Sequence, residues 1–208
     1  MTDDPERFAR QAAGWSDEQY SDPGAYLAHR ADLVCGLGTP LRRGDEVLDL
    51  ACGDGGLGAA LLARGLRYRG VDLEPAMVAA ARGRLGVTAE LEVADLDTYE
   101  PPAPVAATTV FRAIYYARDR RAFLARARAY TTVKLVFDLN PRQYRVDDVL
   151  GELRAAGYRE VALRPFFVPQ TVRLPRPVGR VLVAAERSGP LARVALRYRF
   201  TYLVAARP

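Results

Sequence analysis

The 208-residue chain is short of several residues that chemistry often relies on: it has two cysteines, one histidine, one tryptophan and a single lysine, Lys134. Two cysteines, Cys35 and Cys52, one of them inside a glycine-rich stretch, do not make a disulfide framework. No metal is expected. No apolar run approaches the ~18 residues that would suggest a membrane span. The first ten residues, MTDDPERFAR, are charged and lack the apolar centre of a secretory signal, so the expected location is cytoplasmic. Acid is not scarce: 25 acidic residues stand against 30 basic ones, and the formal net charge of +5 reads as a dispersed, solvated surface. Half the residues are hydrophobic, which suits one α/β domain with a sizeable core.

What is present is alternation. Residues 1–39 read as a helical leader, with Tyr26, Leu27, Leu33 and Val34 at helical spacing and Pro40 beyond them. Short apolar strands then alternate with helices. Strands are predicted at 46–51, 68–73, 89–96, 105–111, 132–139, 158–168 and 199–207. Helices are predicted at 57–65, 74–86, 119–130 and 146–157. This pattern predicts a Rossmann-like α/β fold: a seven-stranded, mostly parallel sheet with helices on both faces. Such sheets bind ligands beyond the carboxyl ends of their strands, where strand order reverses. Residues 169–198 are long for a connection between the sixth and seventh strands. They suggest two short helices broken at Ser188-Gly189-Pro190, with Val178, Val181, Leu182 and Ala185 on one apolar stripe. The expected organisation is therefore a single domain: a lid over 1–39, a cofactor-binding core over 40–168, a cap over 169–198 and a last strand over 199–208.

The stretch VLDLACGDGGLG (47–58) contains Gly53-x-Gly55-x-x-Gly58, and Asp72 follows where a dinucleotide fingerprint wants an acid. Glycines there permit positive φ and close approach of a ligand under either reading. Asp49 separates the readings. A carboxylate beside a pyrophosphate is repelled, whereas one beside an ammonium or sulfonium is attracted. The dinucleotide (NAD) reading is therefore the minor alternative, and the motif shortens to Asp49-x-x-x-Gly53-x-Gly55, with Gly58 left for helix packing.

On these residues the chain resembles the class I S-adenosylmethionine-dependent methyltransferases of small-molecule type. VLDLACGDGGLG is similar to their first motif, GVDLEPAMVAAAR to the second, VADLDTY to the third and VFRAIYY to the end of the fourth strand. The resemblance runs in order over about 46–168. It implies an antiparallel last strand beside the fifth, and S-adenosyl-L-methionine as cofactor with S-adenosyl-L-homocysteine as product. It also implies a cofactor site of Asp49, Ala51, Gly53 and Gly55 in the loop, Asp72 on the ribose hydroxyls, Leu73 and Met77 on adenine, Asp95 and Leu96 at the adenine amino group, and backbone carbonyls of Phe111 and Arg112 at the methionine amino group. Tyr20 and Arg30 of the leader resemble lid residues that meet the cofactor carboxylate. The acid often found at the start of the fourth strand is missing, with Val105-Ala106-Ala107 in its place.

The position after the fourth strand reads Phe111-Arg112-Ala113-Ile114 rather than the Asn/Asp-Pro-Pro-aromatic segment of enzymes that methylate nucleic acid or protein nitrogens. The expected acceptor is thus a small molecule, an apolar metabolite or natural product methylated at oxygen or nitrogen, with no nucleic-acid partner. Candidate catalytic residues are Tyr115 and Tyr116, one of the two expected in the core, and His29, the only histidine. The 173–199 segment, rich in Arg, is the one place where membrane contact is conceivable, and a monomer or homodimer is expected. A non-catalytic cofactor-binding or interaction protein of the same fold is the alternative function.

Overall fold

A computed structural model describes residues 12–191, 194 and 201–208. The chain runs α1 (Trp15–Gln19), α2 (Pro23–Gly36), β1 (Glu46–Leu50), α3 (Gly56–Leu62), β2 (Arg67–Asp72), α4 (Pro75–Leu85), β3 (Glu90–Val93), β4 (Val105–Val110), α5 (Arg120–Tyr130), β5 (Thr131–Leu139), α6 (Val146–Ala155), β6 (Glu160–Pro165), α7 (Arg176–Glu186) and β7 (Tyr202–Arg207). Residues 1–11 of the expected lid, and 192, 193 and 195–200 of the expected cap and last strand, lie outside the described residues.

The helices start where local chemistry satisfies their first amides. Asp22 accepts from Ala25 N ahead of Pro23 in α2, and Asp119 accepts from Arg121 N and Ala122 N in α5. The sole lysine closes a helix at the other end. Lys134, buried on β5, donates Nζ to the carbonyls of Cys35 (3.2 Å) and Leu37 (2.9 Å) where α2 ends. Burial lowers its amine to about 8.

The seven strands form one sheet in the order β3-β2-β1-β4-β5-β7-β6. β3, β2, β1, β4 and β5 are parallel neighbours, and β7 runs antiparallel to both β5 and β6. This is the mostly parallel, Rossmann-like sheet expected, with the antiparallel last strand beside the fifth. Apolar side chains from the central strands divide between two cores. One, around Leu48, Leu50, Phe123, Phe137 and Tyr202, is covered by α5 and α6. The other, around Val47, Leu61, Val136 and Leu203, is covered by α2 and α3. Strand order reverses between β1 and β4, so the carboxyl ends of those two strands mark the switch point.

Candidate functional site

The site starts where β1 gives out. Ala51 has φ +61, and Gly53 and Gly55 have φ +57 and +75, so the chain folds back sharply before α3 begins at Gly56. At the end of β4, Arg112 also takes a left-handed conformation, φ +56. Ala51 and Arg112 are the only non-glycine residues with positive φ among the described residues, and they sit at the ends of the two strands that flank the switch point. Strain of this kind collects at ligand sites.

Asp49 is the fourth residue of β1, one residue short of the strand's end. Its Oδ2 accepts from the Tyr68 hydroxyl (2.7 Å) on β2, and its Oδ1 from Thr109 Oγ1 (2.6 Å) on β4. The carboxylate ties β1 to both neighbours, and at 3% exposure its charge, not an accessible oxygen, is what reaches the loop. Burial pushes its carboxyl up to about 6, against the lowering effect of the Thr109 and Tyr68 donors and of Arg30.

Asp72, the last residue of β2, accepts from Gly53 N (2.8 Å) on Oδ2 and from Glu74 N (3.0 Å) on Oδ1. Burial raises its carboxyl too. Each oxygen keeps a second lone pair, so the group can still accept two hydroxyls. Beside it Leu73 is 67% exposed, an apolar side chain turned to solvent at a strand end, while Met77 is buried in the first turns of α4. Asp95, after β3, accepts from Asp97 N (2.8 Å) and pairs with the Arg118 guanidinium. Leu96 is half-buried against the core under α5.

Sequence reasoning missed Asp54, the acid between the two loop glycines. It is buried, and its Oδ1 accepts from Ser16 Oγ (2.6 Å) and Gly56 N (3.1 Å) while Oδ2 accepts from Ser16 N (3.0 Å) and Arg84 Nη2 (2.7 Å). One carboxylate thus serves the first amides of two helices, α1 and α3, and ties α1 to the loop. The fit is close: a Cβ added at Gly56 would stand 2.5 Å from Ser16 Oγ, and one at Gly53 would meet the Trp15 indole at 3.6 Å. The signal in the sequence was the acid itself, in a loop where glycine would otherwise do.

The lid also brings Arg30 and Tyr20 inward. Arg30 is buried; Nη2 donates to the Tyr26 hydroxyl (2.9 Å), and the guanidinium carbon lies 4.4 Å from the Phe111 ring centre and 4.9 Å from that of Tyr26. Tyr20 stacks on Tyr26 at 4.3 Å. Arg112 donates its backbone N to Asp138 Oδ1 (2.7 Å) at the end of β5 and Nη2 to Gln19 Oε1 (3.2 Å) in the lid. Two guanidinium nitrogens in this region, Arg30 Nε and Arg112 Nη1, are buried without a hydrogen-bond partner among the described residues. Orphaned cationic donors call for an anionic or carbonyl oxygen. With the vacant lone pairs of Asp72 and the exposed Leu73, they suit a ligand that carries a carboxylate, vicinal hydroxyls and a flat apolar ring.

His29 does not stand alone. Its Nε2 donates to Glu186 Oε2 (2.7 Å), its ring lies 5.1 Å from that of Phe166, and Glu186 Oε1 accepts from Phe167 N (2.7 Å). The only histidine therefore fastens α2 to α7. Tyr115 and Tyr116 occupy a short turn after β4, 37% and 39% exposed, with ring centres 4.4 Å apart. Neither packs in the core, contrary to the expectation for one of them; the neighbouring Ile114 takes that place. No group of three His, Cys, Asp or Glu suited to a metal occurs among the described residues.

Comparison with known proteins bears on this geometry. Residues 47–133 match the family described as a methyltransferase domain, a stretch that begins in β1 and ends in β5. A TehB-like SAM-dependent methyltransferase from Corynebacterium glutamicum superposes with a TM-score of 0.67 at 17% identity, covering 98% of this chain and 99% of that one. Phosphoethanolamine N-methyltransferase 2 of Haemonchus contortus, in complex with S-adenosyl-L-methionine, gives a TM-score of 0.61 at 18% identity, covering 87% of this chain and 52% of that one. Ribosomal RNA small subunit methyltransferase H of Gemmatimonas aurantiaca is 47% identical over 58 residues, 28% of this chain and 18% of that protein. The sheet is the Rossmann-like fold of the class I methyltransferases.

Proposed function

We propose, from the methyltransferase domain that residues 47–133 carry, that the chain is an S-adenosyl-L-methionine-dependent methyltransferase acting at an oxygen or nitrogen of a small molecule. The observation that carries the reading is the carboxyl edge of the sheet. There a glycine loop, Asp72 with lone pairs to spare and two orphaned guanidinium nitrogens meet in the matched segment and under its lid. The cofactor, when bound, supplies an electrophilic methyl on a sulfonium.

The chain's own residues bind and orient. Asp72 accepts the two ribose hydroxyls, and Leu73 offers its exposed side chain to adenine. Met77 supports that wall from inside, and Asp95 with Leu96 closes the adenine edge, Asp95 already steadied by Arg118. The left-handed turns at Ala51 and Arg112, with Gly53 and Gly55, bring backbone amides and carbonyls to the amino-acid part, those of Phe111 and Arg112 included. Arg30, with Tyr20 beside it, takes the carboxylate on the vacant Nε. Asp49 contributes negative potential from within β1, favourable to a sulfonium. In-line transfer requires position and dryness above all, and the lid, held down by Asp54 and by the His29–Glu186 bond, supports both. Tyr115 and Tyr116 stand where an acceptor would enter, and a phenol orients a nucleophile more readily than it deprotonates one. His29, its Nε2 committed to Glu186, is better suited to closing the lid than to acting as base.

Calorimetry tests the reading. S-Adenosyl-L-homocysteine should bind and NAD should not. Asp72→Ala should weaken that binding about 10- to 100-fold, the worth of hydrogen bonds to a charged acceptor. NAD binding without S-adenosyl-L-homocysteine binding would overturn it, and an unchanged affinity in Asp72→Ala would displace the ribose from β2.

A further inference from the structure

We infer that the outward face of α7 and its flanks form a docking surface for an anionic lipid bilayer. The charge of the chain is unevenly placed. Residues 169–208 hold eight arginines and one acid, Glu186, while residues 1–168 hold 22 basic and 24 acidic residues. The positive balance of the whole protein therefore belongs to its last 40 residues.

Four of those arginines, Arg173, Arg176, Arg180 and Arg187, lie on or beside α7, while Arg207 on β7 pairs with Glu160 and Arg193, Arg197 and Arg199 fall outside the described residues. Glu186 points inward, to His29 and the Phe167 amide, so the one acid of the segment is withdrawn from the surface. Arg176, Arg180 and Arg187 fall on one side of the helical turn and are exposed; Arg173, also exposed, lies 3.8 Å from Asp22. Beside them Val178 and Val181 lie one turn apart and are 44% and 66% exposed, with Val172 and Leu191 exposed at either end. A solvated helix tolerates two exposed valines but has no use for their place beside the arginines. A helix that lies in the plane of a bilayer surface has one, because the apolar side chains enter the acyl boundary while the guanidinium groups stay with the phosphates.

The apolar strip selects the occupant. A nucleic acid would use the arginines but not the valines, and residues 172–191 contain no aromatic side chain on which a base could stack. Anionic lipid uses both. The same helix grips the lid through Glu186 and His29, so a cap seated on a membrane would set the position of α2. Docking in this form does not depend on which cofactor the loop binds.

Flotation of the full chain with vesicles tests it. The protein should rise with phosphatidylcholine vesicles that contain phosphatidylglycerol, stay down with phosphatidylcholine alone, and lose binding as salt is raised. Arg180→Gln should lower vesicle partition about fivefold. Val181→Asp, at an exposed position, should abolish flotation without altering the thermal melt. No flotation with the anionic vesicles at low salt would overturn the proposal. So would a Val181→Asp protein that floats like the wild type, or a dimer that Val181→Asp dissociates while no vesicle binds.

Discussion

Asp54→Asn separates the charge of the loop acid from its shape. In the wild type four donors converge on the buried carboxylate: Ser16 N, Ser16 Oγ, Gly56 N and Arg84 Nη2. An amide in the same place can keep its oxygen toward Gly56 N and Ser16 Oγ. Its NH2 group then faces Ser16 N–H and the Arg84 guanidinium, donors against a donor. Ser16 is buried and its amide, at the start of α1, has no helical partner, so orphaning it costs about 1–3 kcal/mol. The Arg84 side chain is 34% exposed and recovers much of its loss from water, so that pair adds about 1 kcal/mol at most. The expected loss is therefore about 2–4 kcal/mol of folding free energy, read by urea denaturation. Affinity for S-adenosyl-L-homocysteine should fall with it, because the same bonds hold the lid on the loop. Ser16→Ala removes only the hydroxyl bond and should cost about 1 kcal/mol; the double variant should be less destabilised than the two singles added. A loss below about 1 kcal/mol in Asp54→Asn, with cofactor affinity unchanged, would refute the idea that this carboxylate joins lid and loop.

Two further substitutions probe the wall behind the loop. Gly58→Ala would place a Cβ 2.6 Å from the Tyr68 ring and 3.0 Å from Leu85 Cδ1. Tyr68 cannot withdraw while its hydroxyl is held by Asp49, so the variant should lose about 1–3 kcal/mol despite the better helix propensity of alanine; equal or greater stability by urea melt would contradict the packing. Asp49 gives a pH signature. Its carboxyl is raised from 3.8 to about 6, so the folded chain holds a proton that the unfolded chain has already released between those values. The contribution is present below about pH 4 and declines as pH rises through about 6. Asp49→Asn does not titrate, so the stability of the wild type relative to the variant should fall by about 2–3 kcal/mol from pH 4 to 7. A difference that stays flat across that range would show that the group is not desolvated in the fold.

What the sequence made legible was local. Strand and helix periods predicted the alternation, and Tyr26, Leu27, Leu33 and Val34 are buried as their spacing required. The motif acids lie at or near strand ends because backbone turns there leave amides that carboxylates satisfy, as Asp72 does for Gly53 and Glu74. What stayed hidden depends on partners far along the chain. Asp54 meets Ser16 across 38 positions, Lys134 reaches the end of α2 across 97, and His29 meets Glu186 across 157. No period or spacing encodes such pairs. The Tyr115-Tyr116 error has a related cause: three consecutive large apolar residues follow β4, and composition does not say which of them a tight turn points inward. The turn selects Ile114.

The glycines of the loop explain less of the site than two residues that are not glycine. Ala51 and Arg112 hold positive φ at a cost of about 1–3 kcal/mol each, and glycine at either place would relieve it. Both are restrained from across the sheet. Cys52 N, next to Ala51, donates to the Val71 carbonyl of β2 (2.9 Å), and Arg112 N donates to Asp138 of β5 (2.7 Å). The outer strands thus bend the ends of the two inner ones, on either side of the point where strand order reverses. A side chain at 112 is what the bend secures. With glycine there, the guanidinium that reaches Gln19 in the lid and keeps Nη1 without a partner would be lost. The strain therefore places a half-buried cation with one buried, unpartnered nitrogen at the switch point, where the orphaned nitrogen of the buried Arg30 adds a second. Arg30, buried against the Tyr26 and Phe111 rings, and the buried Nη1 of the half-buried Arg112 are donors that a ligand with an anionic or carbonyl oxygen would satisfy.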